Sequence, residues 1–216
     1  MIDSFKHKGN RNKLIEILKK KGISDEKVLE AINKVPRHIF MDSAFEQYAY
    51  EDKAFPIAAE QTISQPYTVA FQTQLLQLSK GEKVMEIGTG SGYQTAVLLN
   101  MNVEVYTIER QKTLFEFSNL VFKKLKLKPK HQKFGDGYEG IPTFAPFDKI
   151  LVTAGAEILP KTLLEQLKIG GIMVIPLGKK TQIMTSFLRL DEKNYEKTEF
   201  GIFQFVPLLE KTDKLK

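Results

Sequence analysis

One segment, Val84-Met85-Glu86-Ile87-Gly88-Thr89-Gly90-Ser91-Gly92-Tyr93, restricts the fold more than any other. An apolar run ends there in three glycines at alternate positions, and the helical pattern Tyr93 to Leu99 follows, so it reads as strand, loop and helix. Bare backbone in such a loop can approach a ligand at the carboxyl edge of a parallel sheet, where open α/β folds bind their ligands. Taken alone, a structural turn is the alternative reading. The spacing is G-x-G-x-G, with Tyr93 where a dinucleotide fingerprint has its third glycine. Glu86 stands two residues before the first glycine, and a carboxylate there suits an ammonium better than a pyrophosphate.

Strand and helix patterns alternate around that loop. Pro66 opens a helix over Tyr67 to Leu78, and Val84 to Ile87 is the first strand. Val103 to Ile108, His131 to Phe134, Lys149 to Thr153 and Ile172 to Pro176 read as further strands, with helices over Lys112 to Leu125 and Lys161 to Leu167. Strands separated by helices predict an α/β three-layer sandwich with a doubly wound, mostly parallel sheet. Ile183 to Leu190 and Phe200 to Val206, separated by Asp191-Glu192-Lys193-Asn194, predict an antiparallel C-terminal hairpin that completes seven strands. Ahead of this core, Leu14, Ile17 and Leu18 precede Gly22, and Val28, Leu29 and Ile32 lie between a Ser24 cap and Pro36, which predicts an N-terminal helical appendage. The aromatic stretch 42–59 has no clean period and reads as loop and turns. The expected division is an appendage and substrate-side segment over 1–78, a ligand-binding core over 79–209 and a charged, frayed tail over 210–216.

Glu109 ends the second strand 21 positions after Gly88 (109 − 88), close to the roughly 20 residues at which an acid accepts from ribose hydroxyls. The alternative is a surface glutamate beside Arg110. Gly135-Asp136-Gly137 follows the third strand and reads either as a reader of an adenine edge or as a tight turn capped by Asp136. Acids at all three loops describe a site for a nucleoside that carries positive charge, and S-adenosyl-L-methionine is the common cofactor of that kind.

Composition narrows the chemistry. The 216 residues include no cysteine, which excludes disulfides, Cys-ligated zinc, iron–sulfur clusters and a cysteine nucleophile such as cytosine-C5 methylation needs. No run approaches the roughly 18 apolar residues of a membrane helix, and the start lacks a signal-peptide core, so a soluble cytoplasmic chain without a membrane partner is expected. The 32 basic residues exceed the 26 acidic ones, but the basic cluster 123–130 alternates with leucine and reads as a solvated helix end and loop. No nucleic-acid partner is expected.

The glycine loop resembles that of class I methyltransferases, whose fold is Rossmann-like. Flanking segments narrow the resemblance to protein-L-isoaspartate (D-aspartate) O-methyltransferases: Val35-Pro36-Arg37-His38-Ile39-Phe40, Pro56-Ile57, Gln61-Thr62-Ile63-Ser64-Gln65-Pro66, Gly135-Asp136-Gly137-Tyr138, Ile150 to Ala154 and Phe205 to Leu208. The resemblance runs to Leu209, nearly the whole chain, and the Gln61 to Pro66 block is its specific part. It implies methyl transfer from S-adenosyl-L-methionine, leaving S-adenosyl-L-homocysteine, to the free α-carboxylate of L-isoaspartyl residues in damaged proteins and peptides. The ester then collapses to a succinimide, whose hydrolysis returns some normal aspartyl. The resemblance further implies that Ser64 is the catalytic residue and that Glu86, Gly88, Thr89, Gly90, Ser91, Gly92, Glu109, Asp136 and Gly137 bind the cofactor. Gln61, Thr62 and Ile63 lie on the substrate side, no metal takes part, and the enzyme works as a monomer.

A carboxylate with a pKa near 4 arrives ionised and needs no general base, so the three histidines, His7, His38 and His131, are expected at the surface or in structural roles. The protein's work is orientation and exclusion of water. Ser64 could aim the substrate carboxylate; a helix cap before Pro66 is its alternative. The family usually has Gly where Glu60 stands, a strained position for Glu if φ is positive there. Two other functions share the fold: a methyltransferase acting on RNA or another substrate, and a cofactor-retaining module without turnover. Adenine-N6 enzymes carry Asn or Asp with Pro-Pro and an aromatic after the fourth strand, where this chain reads Thr153-Ala154-Gly155-Ala156.

Overall fold

A computed structural model describes residues 3–213. Its centre is a seven-stranded sheet of order β5-β4-β3-β6-β7-β8-β9, built from β3 (Lys83–Ile87), β4 (Glu104–Glu109), β5 (His131–Phe134), β6 (Phe147–Val152), β7 (Leu167–Leu177), β8 (Gln182–Arg189) and β9 (Tyr195–Phe203). The first five run parallel, and β8 and β9 pair antiparallel, which is the expected α/β architecture with its C-terminal hairpin. The chain starts at β3 and winds outward first through β4 and β5, then through β6 and β7, so the order reverses at the β3–β6 boundary. Ligands of open α/β sheets bind at such a reversal, outside the carboxyl ends of the strands.

Two apolar layers follow from strand alternation. Val84, Val105, Leu151 and Val174 face α4 (Tyr93–Asn100) and join one core with Leu14 and Leu18 of α1 (Phe5–Lys20), Val28 and Ile32 of α2 (Glu26–Lys34) and Val69 of α3 (Pro66–Leu75). Met85, Ile87, Ile108, Ile150, Val152 and Met173 form the other core with Leu163 and Leu164 of α6 (Lys161–Glu165). Each such side chain contributes about 1.5–3 kcal/mol on leaving water. The N-terminal helices share the first of these layers.

The structure corrects several boundaries. Helix α1 starts at Phe5 because Ser4 and His7 form a reciprocal capping box, and Asp25, not Ser24, caps α2. Helix α3 stops at Leu75, followed by Gln77 at φ 51. Strand β7 already begins at Leu167 and carries Gly170-Gly171 through an irregularity opposite Phe147 and Lys149. Strand β9 starts at Tyr195, so Val206 to Leu208 leave the hairpin and pass over the carboxyl edge, bonding Gly155 on both sides. Within the stretch 42–59 expected as loop lies β1 (Phe55–Pro56), which pairs antiparallel with β2 (Thr62–Ile63) just beyond it. The described part of the tail is not frayed: Lys211 N–H donates to Asp136, and Asp213 N–H donates to the Arg110 carbonyl. Residues 214–216 lie outside the described residues. The lysines of 123–130 are exposed on the last turn of α5 (Lys112–Leu125) and in the loop after it, as expected.

Candidate active site

The three glycines of the first loop serve three different ends. Gly88 has φ 96, and a Cβ on it would stand 2.5 Å from Thr153 Oγ1, which donates to the Ile87 and Gly88 carbonyls and ties β6 to β3. Gly92 has φ 90, opens α4, and would drive a Cβ to 2.6 Å from Phe122 of α5. Gly90, at φ 55, meets nothing within 4 Å. Its backbone borders a cavity at the carboxyl edge of the sheet.

That cavity brings together distant segments. Gln61, Thr62, Ile63 and Ser64 form one side; Gly88, Thr89, Gly90 and Ser91 form the floor; Glu109, Gly137, Thr153 and the stretch 206–209 complete the wall. Glu109 is nearly buried at the end of β4, and its carboxylate accepts from Gly90 N–H at 2.7 Å and Gln111 N–H at 2.8 Å. Burial raises its pKa, opposed by those backbone donors. Both oxygens are thereby fixed in orientation beside the glycine loop. Ser64 does not cap α3: Gln65 takes the N-cap position, and no side chain caps that end. A second groove, lined by Gln65, Tyr67, Thr68 and residues 201–206, shares Thr62, Ser64, Thr153 and Val206 with the cavity.

Three of the expected cofactor contacts stand off this wall. Glu86 shares strand parity with Val84, so its side chain turns under α4, where it is wholly buried and accepts from the Thr95 and Thr107 hydroxyls. Burial pushes its pKa up to about 8, against the two hydroxyl bonds. Thr107 in turn bonds Thr89 at 2.6 Å, so Glu86 braces the loop from behind instead of meeting an ammonium. Gly92 faces Phe122. Asp136 spends one oxygen on Tyr138 N–H and the other on Lys211 N–H, the capped turn named as its alternative, while its neighbour Gly137 reaches the cavity.

Comparison with known proteins matches this arrangement. A family model described as protein-L-isoaspartate(D-aspartate) O-methyltransferase covers residues 9–213. The chain belongs to the protein-L-isoaspartate (D-aspartate) O-methyltransferase family. It is 60% identical over 210 residues to protein-L-isoaspartate O-methyltransferases of Christiangramia forsetii and of Flavobacterium johnsoniae, covering 97% of this chain and 99% of each relative. Among solved structures, a protein-L-isoaspartate O-methyltransferase superposes with TM-score 0.83 at 32% identity over 91% of this chain, which spans 65% of that longer one. A Plasmodium falciparum structure described as the same enzyme, solved with S-adenosyl-L-homocysteine, gives TM-score 0.80 at 28% identity, covering 94% of this chain and 98% of its own.

Within this isoaspartyl methyltransferase fold, sequence reasoning missed Thr153, Gln111, Leu114 and the Val206 to Leu209 crossing as wall residues. Thr153 and Val206 to Leu208 lay inside the family-like segments, which was the available signal; Gln111 and Leu114 carried none. Of the histidines expected at the surface or in structural roles, His38 is wholly buried and the partly exposed His7 stacks on it.

Proposed function

We propose that the chain transfers a methyl group from S-adenosyl-L-methionine to the free α-carboxylate of L-isoaspartyl residues in damaged proteins and peptides, releasing S-adenosyl-L-homocysteine. One observation carries this reading: Thr62, Ser64, Thr153 and Val206 belong both to the cavity at the glycine loop and to the adjoining groove lined by Gln65, Tyr67, Thr68 and residues 201–206. A cofactor in the first and a polypeptide in the second would meet at Ser64.

The residues fit the cofactor. Gly90 leaves open space for close approach to its backbone, and Glu109 holds a carboxylate beside it for ribose hydroxyls. When bound, S-adenosyl-L-methionine supplies a sulfonium methyl that a carboxylate oxygen attacks in line. The chain's own part is positioning. Gly88, Thr89, Gly90, Ser91, Glu109 and Gly137 hold the nucleoside end; Gln61, Thr62 and Ile63 line the substrate entrance; Ser64 donates its hydroxyl to the substrate carboxylate and aims it. The carboxylate is already ionised, so no residue has to remove a proton.

We further propose a cytoplasmic monomer that acts without nucleic acid or membrane. No helix among the described residues is long and apolar enough to cross a membrane. The deciding experiment is transfer of labelled methyl to an isoaspartyl peptide and to its aspartyl twin. Label in the isoaspartyl peptide alone is expected; label in RNA, or retention of S-adenosyl-L-methionine with no transfer, would favour the other two functions. Ser64→Ala should keep affinity for S-adenosyl-L-homocysteine and lose turnover by about 10²-fold. Unchanged turnover removes the catalytic role.

A further inference from the structure

Gln182 lines neither the cavity nor the groove, yet it holds the segment that walls both. It opens β8 and is almost fully buried, at 2% exposure. In the sheet it stands opposite Phe203, the last residue of β9. Two residues further on, Phe205 N–H donates to the Gln182 side-chain oxygen at 2.8 Å. The side chain thus takes over where the main-chain ladder ends. Its Nε2 donates to the Lys179 carbonyl at 3.3 Å, which fixes the end of the amide that faces Phe205.

Gly155 packs against the same amide. A Cβ on Gly155 would stand 2.8 Å from Gln182 Cδ, so glycine at 155 is what lets the amide in. Gly155 N–H donates to the Val206 carbonyl, and the Gly155 carbonyl accepts from Leu208 N–H, both at 2.8 Å. The two residues therefore hold successive parts of one crossing. Gln182 grips it at Phe205, which lines the groove alone; Gly155 grips it at Val206 and Leu208, which line the cavity.

Phe205 is coupled to the rest of the groove wall. Its ring lies 6.4 Å from that of Phe203, and Phe203 stacks on Tyr67 at 6.4 Å with 8° between the planes, three residues after Ser64. A partly buried N–H stripped of its acceptor is drawn toward water, and here it would take Phe205 and this stack with it.

We infer that Gln182 is a positioning residue for the polypeptide substrate: its amide fixes Phe205, and through Phe205 the groove wall beside Ser64, while Gly155 holds the cofactor wall independently. The inference rests on the proposed seating of the isoaspartyl polypeptide in that groove. It separates a hold on substrate from a hold on cofactor, which a residue serving the fold alone would not do.

The test compares the full-length parent with Gln182→Met, which keeps the volume and removes both hydrogen bonds. Transfer of labelled methyl to an isoaspartyl peptide is measured beside calorimetric titration with S-adenosyl-L-homocysteine. KM for the peptide should rise about 5- to 10-fold, with kcat and the ligand's dissociation constant within about twofold of the parent's. Should that variant not fold by circular dichroism, Gln182→Asn, whose amide is one methylene short of Phe205, is read instead with the same direction expected. Thr185→Val is the control for a general weakening of β8: it removes a buried hydroxyl that donates to the Ile183 carbonyl and should leave KM unchanged. An unchanged KM in the folded Gln182 variant, a parallel loss of affinity for S-adenosyl-L-homocysteine, or an equal rise of KM in Thr185→Val overturns the inference and leaves the proposed function standing. A parent that transfers no methyl to the peptide overturns both.

Discussion

The Arg37 guanidinium donates to the main-chain carbonyl oxygen of Ser64 at 3.0 Å. The same group donates to the carbonyls of Ala49 and Lys53 at 2.7 and 2.9 Å and lies over the rings of Phe55 and Tyr93. Arg37 is wholly buried, and burial pushes its pKa down to about 10, which leaves it charged at neutral pH. It thus locks the Ser64 segment to the start of α4. Arg37→Lys cannot fork to three carbonyls, and each one left without a donor costs roughly 1–3 kcal/mol. The expected outcome is a lower thermal midpoint together with a fall in kcat, while affinity for S-adenosyl-L-homocysteine holds. Equal losses in kcat and in ligand affinity would mean a general fold defect and no special hold on Ser64.

Glu109 accepts from two backbone N–H groups, Gly90 and Gln111, one on each oxygen. Glu109→Gln sets an amide NH2 against one of those donors and cannot offer two acceptors to a ribose. Affinity for S-adenosyl-L-homocysteine, read by calorimetry, should fall about 10- to 100-fold at unchanged pH. An unaltered binding isotherm removes the ribose role.

Ala59 and Glu60 both adopt the left-handed region, at φ 56 and 54. The condition under which Glu60 would be strained therefore holds. A non-glycine residue there costs roughly 1–2 kcal/mol, and the extra freedom of an unfolded glycine returns about 0.5–1 kcal/mol of that. Glu60→Gly should raise the thermal midpoint by no more than about 3–6 °C. A drop in midpoint would show that the Glu60 side chain contributes more than its backbone costs.

Glu86 gives stability a pH slope. Its pKa rises from the ordinary 4.5 to about 8 in the folded chain, so between those values the native state holds a proton that the unfolded state has lost. Its contribution is full below pH 4.5, declines as pH rises, and is gone above about 8. Urea midpoints of the parent should fall relative to Glu86→Gln from about pH 5 to pH 8. Parallel pH profiles would place the ionised carboxylate in the native state instead.

The parts of this molecule that follow local rules were readable from its sequence. Val84 and Met85 alternate between the two cores, and the glycine loop sits at the carboxyl end of β3. Glu86 was misjudged because the loop motif drew it toward the ligand, although its parity with Val84 already assigned it to the α4 side. For Asp136 the cap on Tyr138 N–H was legible as a tight turn, but its other contact was not, since Lys211, which takes the second oxygen, is 75 residues away. Strand β9 began earlier than expected because its exposed edge carries Glu196, Lys197 and Glu199, which mask a strand pattern. The pairing of Arg37 with Ser64 crosses 27 residues and depends on a tertiary fold that no spacing announces.

The wall of the cavity draws on residues from Gln61 to Leu209. Almost 150 residues of chain must therefore be threaded and paired before a nucleoside finds anything to bind, and closing loops of that length is a late event in folding. The ligand cannot serve as a nucleus around which the chain assembles. It acts as a selector of finished molecules: occupancy lowers the free energy of the completed topology alone, by RT ln(1 + [L]/Kd). Amide exchange that requires global opening should slow throughout the sheet when the ligand is present, including at β9, which lies at the far edge from the glycine loop.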